Sequence, residues 1–189
     1  MTVMGDPAGP LPLPLKTDRL SLRVHRPQDE NRLLAIYSRP DVARFLLEGP
    51  WNEQDAADQT RTRLSRTDLL GKCNALALAV EFEKDLIGSV SIWPTDREHG
   101  QAEIGWTLDP AFGGRGLATE AVRALLALAF DHYRLHRVIA RMDARNTASA
   151  RLAERVGMVR EAHFRRDWWS KGEWTDTVVF AQLADDRQG

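Results

Sequence analysis

Three closely spaced glycines precede an apolar, helix-like segment, and this part of the sequence is suited to bind an anion. Gly113, Gly114 and Gly116 fill three of four consecutive positions, and the helix predicted at 116–133 begins without an obvious Ser, Thr, Asp or Asn cap. The free amides of its first turn and the helix dipole favour negative charge. Glycine lets the backbone approach a phosphate closely, and Arg115 adds a positive charge. The loop therefore suggests a diphosphate site.

Two better-known phosphate loops do not fit this segment. The dinucleotide fingerprint requires a third glycine where Thr119 stands, and no GxxxxGK[ST] run occurs in the sequence. Another interpretation is that the glycines only form a turn and hold no ligand, because glycine-rich turns are common. From the loop alone, both interpretations stay open.

Four motifs in order resemble the acyl-CoA signature of the GNAT N-acetyltransferase superfamily, with the greatest similarity to its RimJ/RimL-like branch. They lie at residues 102–108, 113–121, 146–149 and 155–158, and the similarity extends over roughly residues 17–183. The resemblance implies an enzyme that moves an acetyl group from acetyl-CoA to a primary amine by direct attack on the thioester. The amine would belong to a protein N-terminus or a small molecule. An alternative is a non-catalytic acyl-CoA-binding or interaction module on the same fold.

The resemblance also implies where the coenzyme binds. The pyrophosphate would lie on the loop amides and the pantetheine arm beside the strand at 103–108, where a peptide-like arm completes unpaired backbone groups. The family often has Gln or Arg where Gly113 stands, and we expect Arg115 to compensate. The implied coenzyme contacts are Trp106, Thr107, Leu108, Gly113, Gly114, Arg115, Gly116, Leu117, Ala118, Thr119 and Asn146.

Acetyl transfer to an amine requires a base, because aliphatic amines are protonated near neutral pH. Glu103 resembles the strand glutamate that serves as general base in several GNAT enzymes, and the alternative is an ordinary exposed carboxylate. Asp143 and Glu161 are further candidates. We expect a backbone N–H of segment 106–108, with Thr107 the first choice, to stabilise the oxyanion.

The resemblance implies a general acid on the helix that follows the last catalytic strand, here the strand predicted at 137–143. Many family members place a Tyr where this sequence has Ala153. The resemblance to RimL-like enzymes implies instead a Ser three residues after the Asn, and Ser149 occupies that position. Asn146 would then hold the pantetheine amide. Alternatively, Asn146 is the N-cap of the helix beginning at Thr147, and Ser149 is an exposed first-turn residue.

The elements that must position these residues follow from hydrophobic periodicity. Strands are predicted at 19–25, 75–83, 86–93, 102–108, 137–143, 159–168 and 173–183, and helices from Pro27 and at 40–47, 52–70, 116–133 and 147–156. The passage from 102 to 143 demands a parallel crossover, whereas tight turns make the preceding strands antiparallel. The predicted class is α/β (α+β): a mixed, mostly antiparallel sheet of six to seven strands with helices on both faces. The GNAT resemblance adds a central parallel pair that splays at the CoA site.

Composition is typical of one globular domain. The chain of 189 residues has 43% apolar and 28% charged residues and a net charge of −1, so neither nucleic acid nor a membrane is an expected partner. Residues 1–15 are predicted to be a disordered tail and 16–185 a single GNAT domain. Cys73 is the only cysteine, and no signal-peptide pattern or membrane-length apolar run occurs, so we expect a cytoplasmic protein.

Two histidines and two tryptophans bear on metal binding and oligomerisation. His132 and His136 have a spacing that can bind zinc, but no further ligands accompany them, so no metal is expected. Trp168 and Trp169 are adjacent, and one sheet face cannot bury both, so one of them is expected to line a pocket or an interface. The resemblance suggests a homodimer.

Overall fold

A nine-stranded sheet forms the centre of the protein in this computed structural model, which describes residues 9–188. In spatial order its strands are β1 (Leu15–Lys16), β2 (Leu20–Val24), β4 (Ala75–Phe82), β5 (Asp85–Asp96), β6 (Gln101–Leu108), β7 (Arg137–Asp143), β9 (Glu173–Leu183) and β8 (Val159–Ser170), while β3 (Thr67–Asp68) pairs with β4. The α-helices are α1 (Glu30–Tyr37), α2 (Pro40–Ala43), α3 (Glu53–Ser65), α4 (Leu117–Ala127) and α5 (Thr147–Arg155).

The pairing of β6 with β7 distinguishes this sheet from a purely antiparallel one. All other neighbouring strands are antiparallel. The connection through α4 makes β6 and β7 parallel, which confirms the prediction. Only residues 101–103 of β6 pair with residues 137–139 of β7, although both strands continue. The two strands therefore splay after Glu103 and Ile139, and a gap opens between them.

Helices cover both faces of the sheet. Leu78 and Val80 of β4 belong to a large apolar cluster with residues of α4 and α5, whereas Ala79 between them belongs to a smaller cluster with residues of α1 and α3. Since successive strand residues point to opposite faces, the two helix pairs lie on opposite sides. The α4 side contains most of the core, with Ala121, Val122 and Leu125 fully buried.

The predicted disordered tail needs a correction. Residues 1–8 of that segment lie outside the described residues. In the rest, Leu11, Leu13 and Leu15 are partly buried against the large cluster, and Leu15 begins β1, which pairs with β2. The prediction is wrong for this part because alternate leucines give the segment an apolar face that the sheet can cover.

Several predicted boundaries also shift. The helix predicted at 52–70 ends at Ser65, because Thr67 and Asp68 pair with β4 instead. The predicted cap of that helix is confirmed, since the Asn52 side chain accepts from the Asp55 N–H. Helix α2 ends at Ala43, and α4 gives way to a π-helical segment at Leu128–His132. The two-residue strands β1 and β3 raise the strand count above the predicted six to seven.

Candidate active site

The loop between β6 and α4 is anchored at its base by Asp109, a buried carboxylate. One oxygen accepts a loop backbone N–H at 3.0 Å, and the other lies 2.6 Å from the guanidinium of Arg32. Gly114 and Gly116 follow with φ of +73° and +75°, a left-handed conformation that L side chains rarely adopt. Backbone geometry therefore requires these two glycines, whereas Gly113 has an ordinary φ of −65°.

The first turn of α4 presents free amides. Gly116 is the N-cap residue, and no side chain of residues 9–188 caps the helix there. The N–H groups of Leu117, Ala118 and Thr119 precede the first intrahelical bond, which Glu120 donates to the Gly116 carbonyl at 3.1 Å. Unsatisfied amides at the positive end of a helix dipole form an anion site. The predicted absence of a cap is confirmed, and the diphosphate itself stays a prediction.

Arg115 contributes a positive charge beside this loop. Its guanidinium carbon lies 4.5 Å from the centroid of the Phe82 ring, within cation–π range. Phe82 in turn packs edge-to-face against Phe112, with 6.2 Å between ring centroids. The aromatic rings therefore hold the charge close to the loop, at the end of β4.

The gap between β6 and β7 exposes a row of backbone groups. The Asp109 N–H donates to the Ile87 carbonyl of β5 at 2.8 Å, and N–H direction alternates along an antiparallel strand. Because Thr107 pairs in register with Ser89, its N–H also points to β5. Thr107 is therefore the wrong choice of oxyanion donor. The N–H groups of its two neighbours, Trp106 and Leu108, face the gap.

Glu103 lies where the gap begins. Its side chain is 17% exposed, and a carboxylate oxygen lies 3.8 Å from the guanidinium of Arg141. Burial raises the pKa of Glu103 above its ordinary value, and the charge of Arg141 partly opposes that shift. A carboxylate with a raised pKa is a better proton acceptor than an ordinary one.

The two other candidate bases, Asp143 and Glu161, lie in an electrostatic setting opposite to that of Glu103. Arg145 lies 2.7 Å from Asp143 and lowers the pKa of that carboxyl. Arg137 pairs with Glu161 and lowers its pKa in the same way. Ion pairing makes both carboxylates weaker bases, so the electrostatics favour Glu103 among the three.

Ser149 approaches the gap from the other face of the sheet. Its Oγ accepts a hydrogen bond from Trp106 Nε1 at 3.3 Å, which leaves the hydroxyl hydrogen free to point elsewhere. Trp106 lies three residues after Glu103, so their side chains leave β6 on opposite faces. Asn146 Oδ1 accepts from the Ser149 N–H at 3.1 Å, which confirms the capping interpretation for Asn146. Its contact with pantetheine stays a prediction.

Sequence reasoning missed contacts around the loop and the sheet face. Arg19 pairs with Glu120 in the first turn of α4. Lys171, in the turn between β8 and β9, donates to the carbonyls of Arg44 and Leu46 at 3.2 and 2.8 Å and to that of Ala43. These residues lie about a hundred or more positions apart in sequence, so no local pattern indicates the contacts.

The side chains of His132 and of the adjacent pair Trp168 and Trp169 are not hydrogen-bonded to the side chains described above. His132 is buried and packs edge-to-face on Tyr133. Within residues 9–188, no three His, Cys, Asp or Glu side chains are grouped as metal ligands. Trp168 and Trp169 are both about half exposed, at 51% and 58%. Among all the residues that the structure describes, no helix is long and apolar enough to cross a membrane.

A glycine loop, an uncapped helix and a splayed parallel strand pair define the class of protein, an acyltransferase with the GNAT fold. The family described as "Acetyltransferase (GNAT) domain" matches residues 19–159. The chain belongs to this family, and it is an N-acetyltransferase. The resemblance found in the four sequence motifs is thus confirmed at the level of the family.

Individual relatives agree with this assignment. The "Uncharacterized N-acetyltransferase p20" of Bacillus licheniformis is 29% identical over 93% of this chain and 98% of its own length. A GNAT-family acetyltransferase structure from Bacillus anthracis superimposes with a TM-score of 0.82 at 29% identity, covering 90% of this chain and 98% of the other. RimL, a ribosomal L7/L12 alpha-N-protein acetyltransferase in complex with coenzyme A, has a TM-score of 0.80, covering 92% and 98% of the two chains. At 17% identity, RimL shows similarity of fold alone.

Proposed function

We propose that this N-acetyltransferase binds acetyl-CoA with its pyrophosphate on the amides that open α4 and its thioester in the gap between β6 and β7. The observation that carries the proposal is the uncapped α4 N-terminus, which opens at Gly116 beside a parallel pair that stops pairing at Glu103. An anion held at this helix end directs the rest of the molecule toward the gap. The amides of Trp106 and Leu108 face that gap and suit a peptide-like arm.

The residues around the gap suit direct acetyl transfer to a primary amine. Glu103 accepts a proton from the amine, directly or through water, and the amine nitrogen bonds to the thioester carbon. The N–H groups of Trp106 and Leu108 stabilise the negative charge that develops on the carbonyl oxygen. The carbon–sulfur bond then breaks, and the Ser149 hydroxyl gives a proton to the leaving thiolate. Ser149 regains a proton from water, which in turn receives the proton that Glu103 accepted. The products are an N-acetyl amide and coenzyme A.

The acceptor is a protein N-terminal amine or a small-molecule amine, as in the RimJ/RimL-like branch. It would approach on the face of β6 that carries Glu103, the side covered by α1 and α3. Lys171 ties the β8–β9 turn to the segment after α2 by hydrogen bonds to the carbonyls of Arg44 and Leu46. Arg44 also lies close enough to Asp143 to lower its pKa. These segments form a wall that would select the acceptor.

A second candidate function is acyl-CoA binding without catalysis, and one observation favours it. The position where many family members carry a Tyr acid is Ala153, which is fully buried and offers no hydroxyl. Turnover separates the two functions. Release of free thiol from acetyl-CoA in a screen of amine acceptors supports acetyl transfer, and tight coenzyme binding without turnover on any amine supports the alternative.

A charge substitution tests the coenzyme site directly. Ala118→Glu adds a carboxylate in the first turn of α4, where the helix dipole stabilises it but where it would repel a pyrophosphate. We expect calorimetry to show CoA affinity lowered by at least about tenfold, with the folded state retained. Gln54→Glu, an acid at the equivalent position of α3, is the control and should bind CoA normally. Unchanged binding in Ala118→Glu would refute the loop assignment.

We also propose that the protein forms a homodimer in the cytoplasm. Strand β8 is the last strand of the sheet order, and the β8–β9 hairpin exposes large apolar side chains. Phe164, Trp168, Trp169 and Trp174 are each at least half exposed, and the last two pack edge-to-face with 5.4 Å between ring centroids. An exposed aromatic patch of this kind favours a protein interface. Sedimentation equilibrium would decide between a monomer and a dimer.

A further inference from the structure

Glu120, in the first turn of α4, is the centre of a cluster of short hydrogen bonds. Its Oε1 accepts from the Thr17 hydroxyl at 2.6 Å and from the Arg19 N–H at 2.9 Å. Its Oε2 lies 2.7 Å from Arg19 Nε and 2.6 Å from Arg19 Nη2. Burial opposes ionisation of Glu120, yet these hydrogen bonds together lower its pKa, so the carboxylate is charged at neutral pH.

The same guanidinium also holds the glycine loop. Arg19 Nη1 donates to the Arg115 carbonyl at 2.9 Å, so one side chain contacts both the loop and the helix. In a trans peptide the C=O and the following N–H point in opposite directions. Fixing the Arg115 carbonyl on Arg19 therefore turns the Gly116 N–H away from Arg19. That N–H adjoins the free amides of Leu117 and Ala118.

Without Arg19, the negative charge of Glu120 would oppose anion binding at the start of α4. A carboxylate in the first turn stabilises a helix, but it repels an anionic ligand bound at the same helix end. Arg19 forms a two-point ion pair with this carboxylate and cancels its charge locally. The arrangement keeps the helix-stabilising carboxylate and removes its repulsion.

We propose that Arg19 and Glu120 form a positioning pair that presets the Arg115–Gly116 peptide for the pyrophosphate of acyl-CoA. This inference rests on the proposed function. Neither residue need touch the reacting atoms, because the pair acts through the loop peptide. Its effect is therefore specific to ligands that carry the pyrophosphate. A purely structural link between the segment at Thr17 and α4 would affect every donor equally.

Arg19→Lys is the main test. Lysine keeps the positive charge near Glu120, but one ammonium cannot reproduce the forked contact with both Glu120 and the Arg115 carbonyl. We expect the dissociation constant for CoA, measured by calorimetry, to rise about tenfold. With acetyl-pantetheine, which lacks the pyrophosphate, we expect kcat/KM to stay within about twofold of the wild type. A fall in kcat/KM with acetyl-pantetheine as large as the loss of CoA affinity, or no loss of CoA affinity, would overturn the proposal.

Glu120→Gln separates positioning from simple charge. The substitution makes the site more positive, so electrostatics alone would tighten CoA binding, whereas a loosened Arg19 would weaken it. We expect weaker binding, and tighter binding would overturn the proposal.

Asp131→Asn is the matched control. It removes a comparable Arg–carboxylate pair, with Arg187 at 2.6 Å, just beyond the far end of α4. We expect it to leave CoA binding unchanged, and an equal loss in this control would overturn the proposal. Failure of the wild type itself to bind CoA would refute the proposed function, and this inference with it.

Discussion

Replacing Glu103 by Gln tests the assignment of the general base. The substitution preserves size and removes only the ability to accept a proton. General bases contribute about 10²–10⁴ in rate, and bulk water has limited access to replace a side chain that is 17% exposed. We therefore expect kcat to fall by about 100-fold or more in a thiol-release assay with a competent amine. The dissociation constant for CoA should stay within about twofold, because Glu103 lies at the start of the gap and not on the loop.

The pH dependence gives a second readout of the same residue. A base must be deprotonated, so the rate should rise with pH through the pKa of Glu103, which burial places above its ordinary value. Arg141→Gln removes the charge that opposes this shift and should move the acidic limb to higher pH. Glu103→Gln should abolish the limb. An acidic limb that persists at the same pH in Glu103→Gln, measured with an amine of low basicity, would refute the assignment.

The Glu103→Gln substitution should change stability in the direction opposite to its effect on activity. A carboxyl whose folded-state pKa is raised binds its proton more tightly in the folded state, so stability falls as pH rises from the unfolded pKa through the folded one. Glu103→Gln removes this effect, so its Tm at pH 7 should equal or exceed that of the wild type, with the difference vanishing in acid.

Glu161→Gln is the control for the rate measurements, because Glu161 lies in the same sheet, and this variant should keep the wild-type rate. If Asp143→Asn lost activity and Glu103→Gln did not, Asp143 would be the base.

Two further predictions concern the other side chains at the gap. Trp106→Phe removes the indole N–H that donates to Ser149 but keeps an aromatic ring, so kcat should fall several-fold with little change in the KM for acetyl-CoA. The kcat of Ser149→Ala should fall at least as far. Equal rates in the wild type and both variants would exclude Ser149 as the acid. Lys171→Met removes three hydrogen bonds to the segment after α2, so steady-state kinetics should show a raised KM for the amine and unchanged CoA affinity, whereas a change confined to CoA would refute the proposed acceptor wall.

Much of the fold follows from local sequence signals. The strands at Arg137–Asp143 and Glu173–Leu183 are predicted to the residue, because alternating side chains and flanking turns mark both ends. The end of α3 is not predicted, because residues 67–68 leave the helix only through pairing with β4, a strand contact that the polar, helix-favouring composition of this segment does not indicate. Similarly, the leucines before Lys16 are in a Gly- and Pro-rich stretch, and only the finished sheet provides a surface that covers them.

The candidate site divides in the same way. The glycine loop and Glu103 are visible in the sequence because each belongs to a recognisable motif. The pairing of Arg19 with Glu120 is not visible, since the two residues are 101 positions apart. The direction of the Thr107 N–H is also invisible, because it depends on the register with β5 and not on the side chain.

In the proposed mechanism, the alternation of β6 lets one strand serve both halves of the reaction. Odd positions send their side chains to the face covered by α1 and α3, where Glu103 lies, and even positions send theirs to the face of α5, where Trp106 meets Ser149. A base and an acid on one face would compete for the same proton and the same space. Opposite faces keep the incoming amine and the leaving thiol apart, and the amides of Trp106 and Leu108 lie in the plane between them. A one-residue slip of β6 against β5 would exchange these faces, so the proposed mechanism requires the register that pairs Thr107 with Ser89.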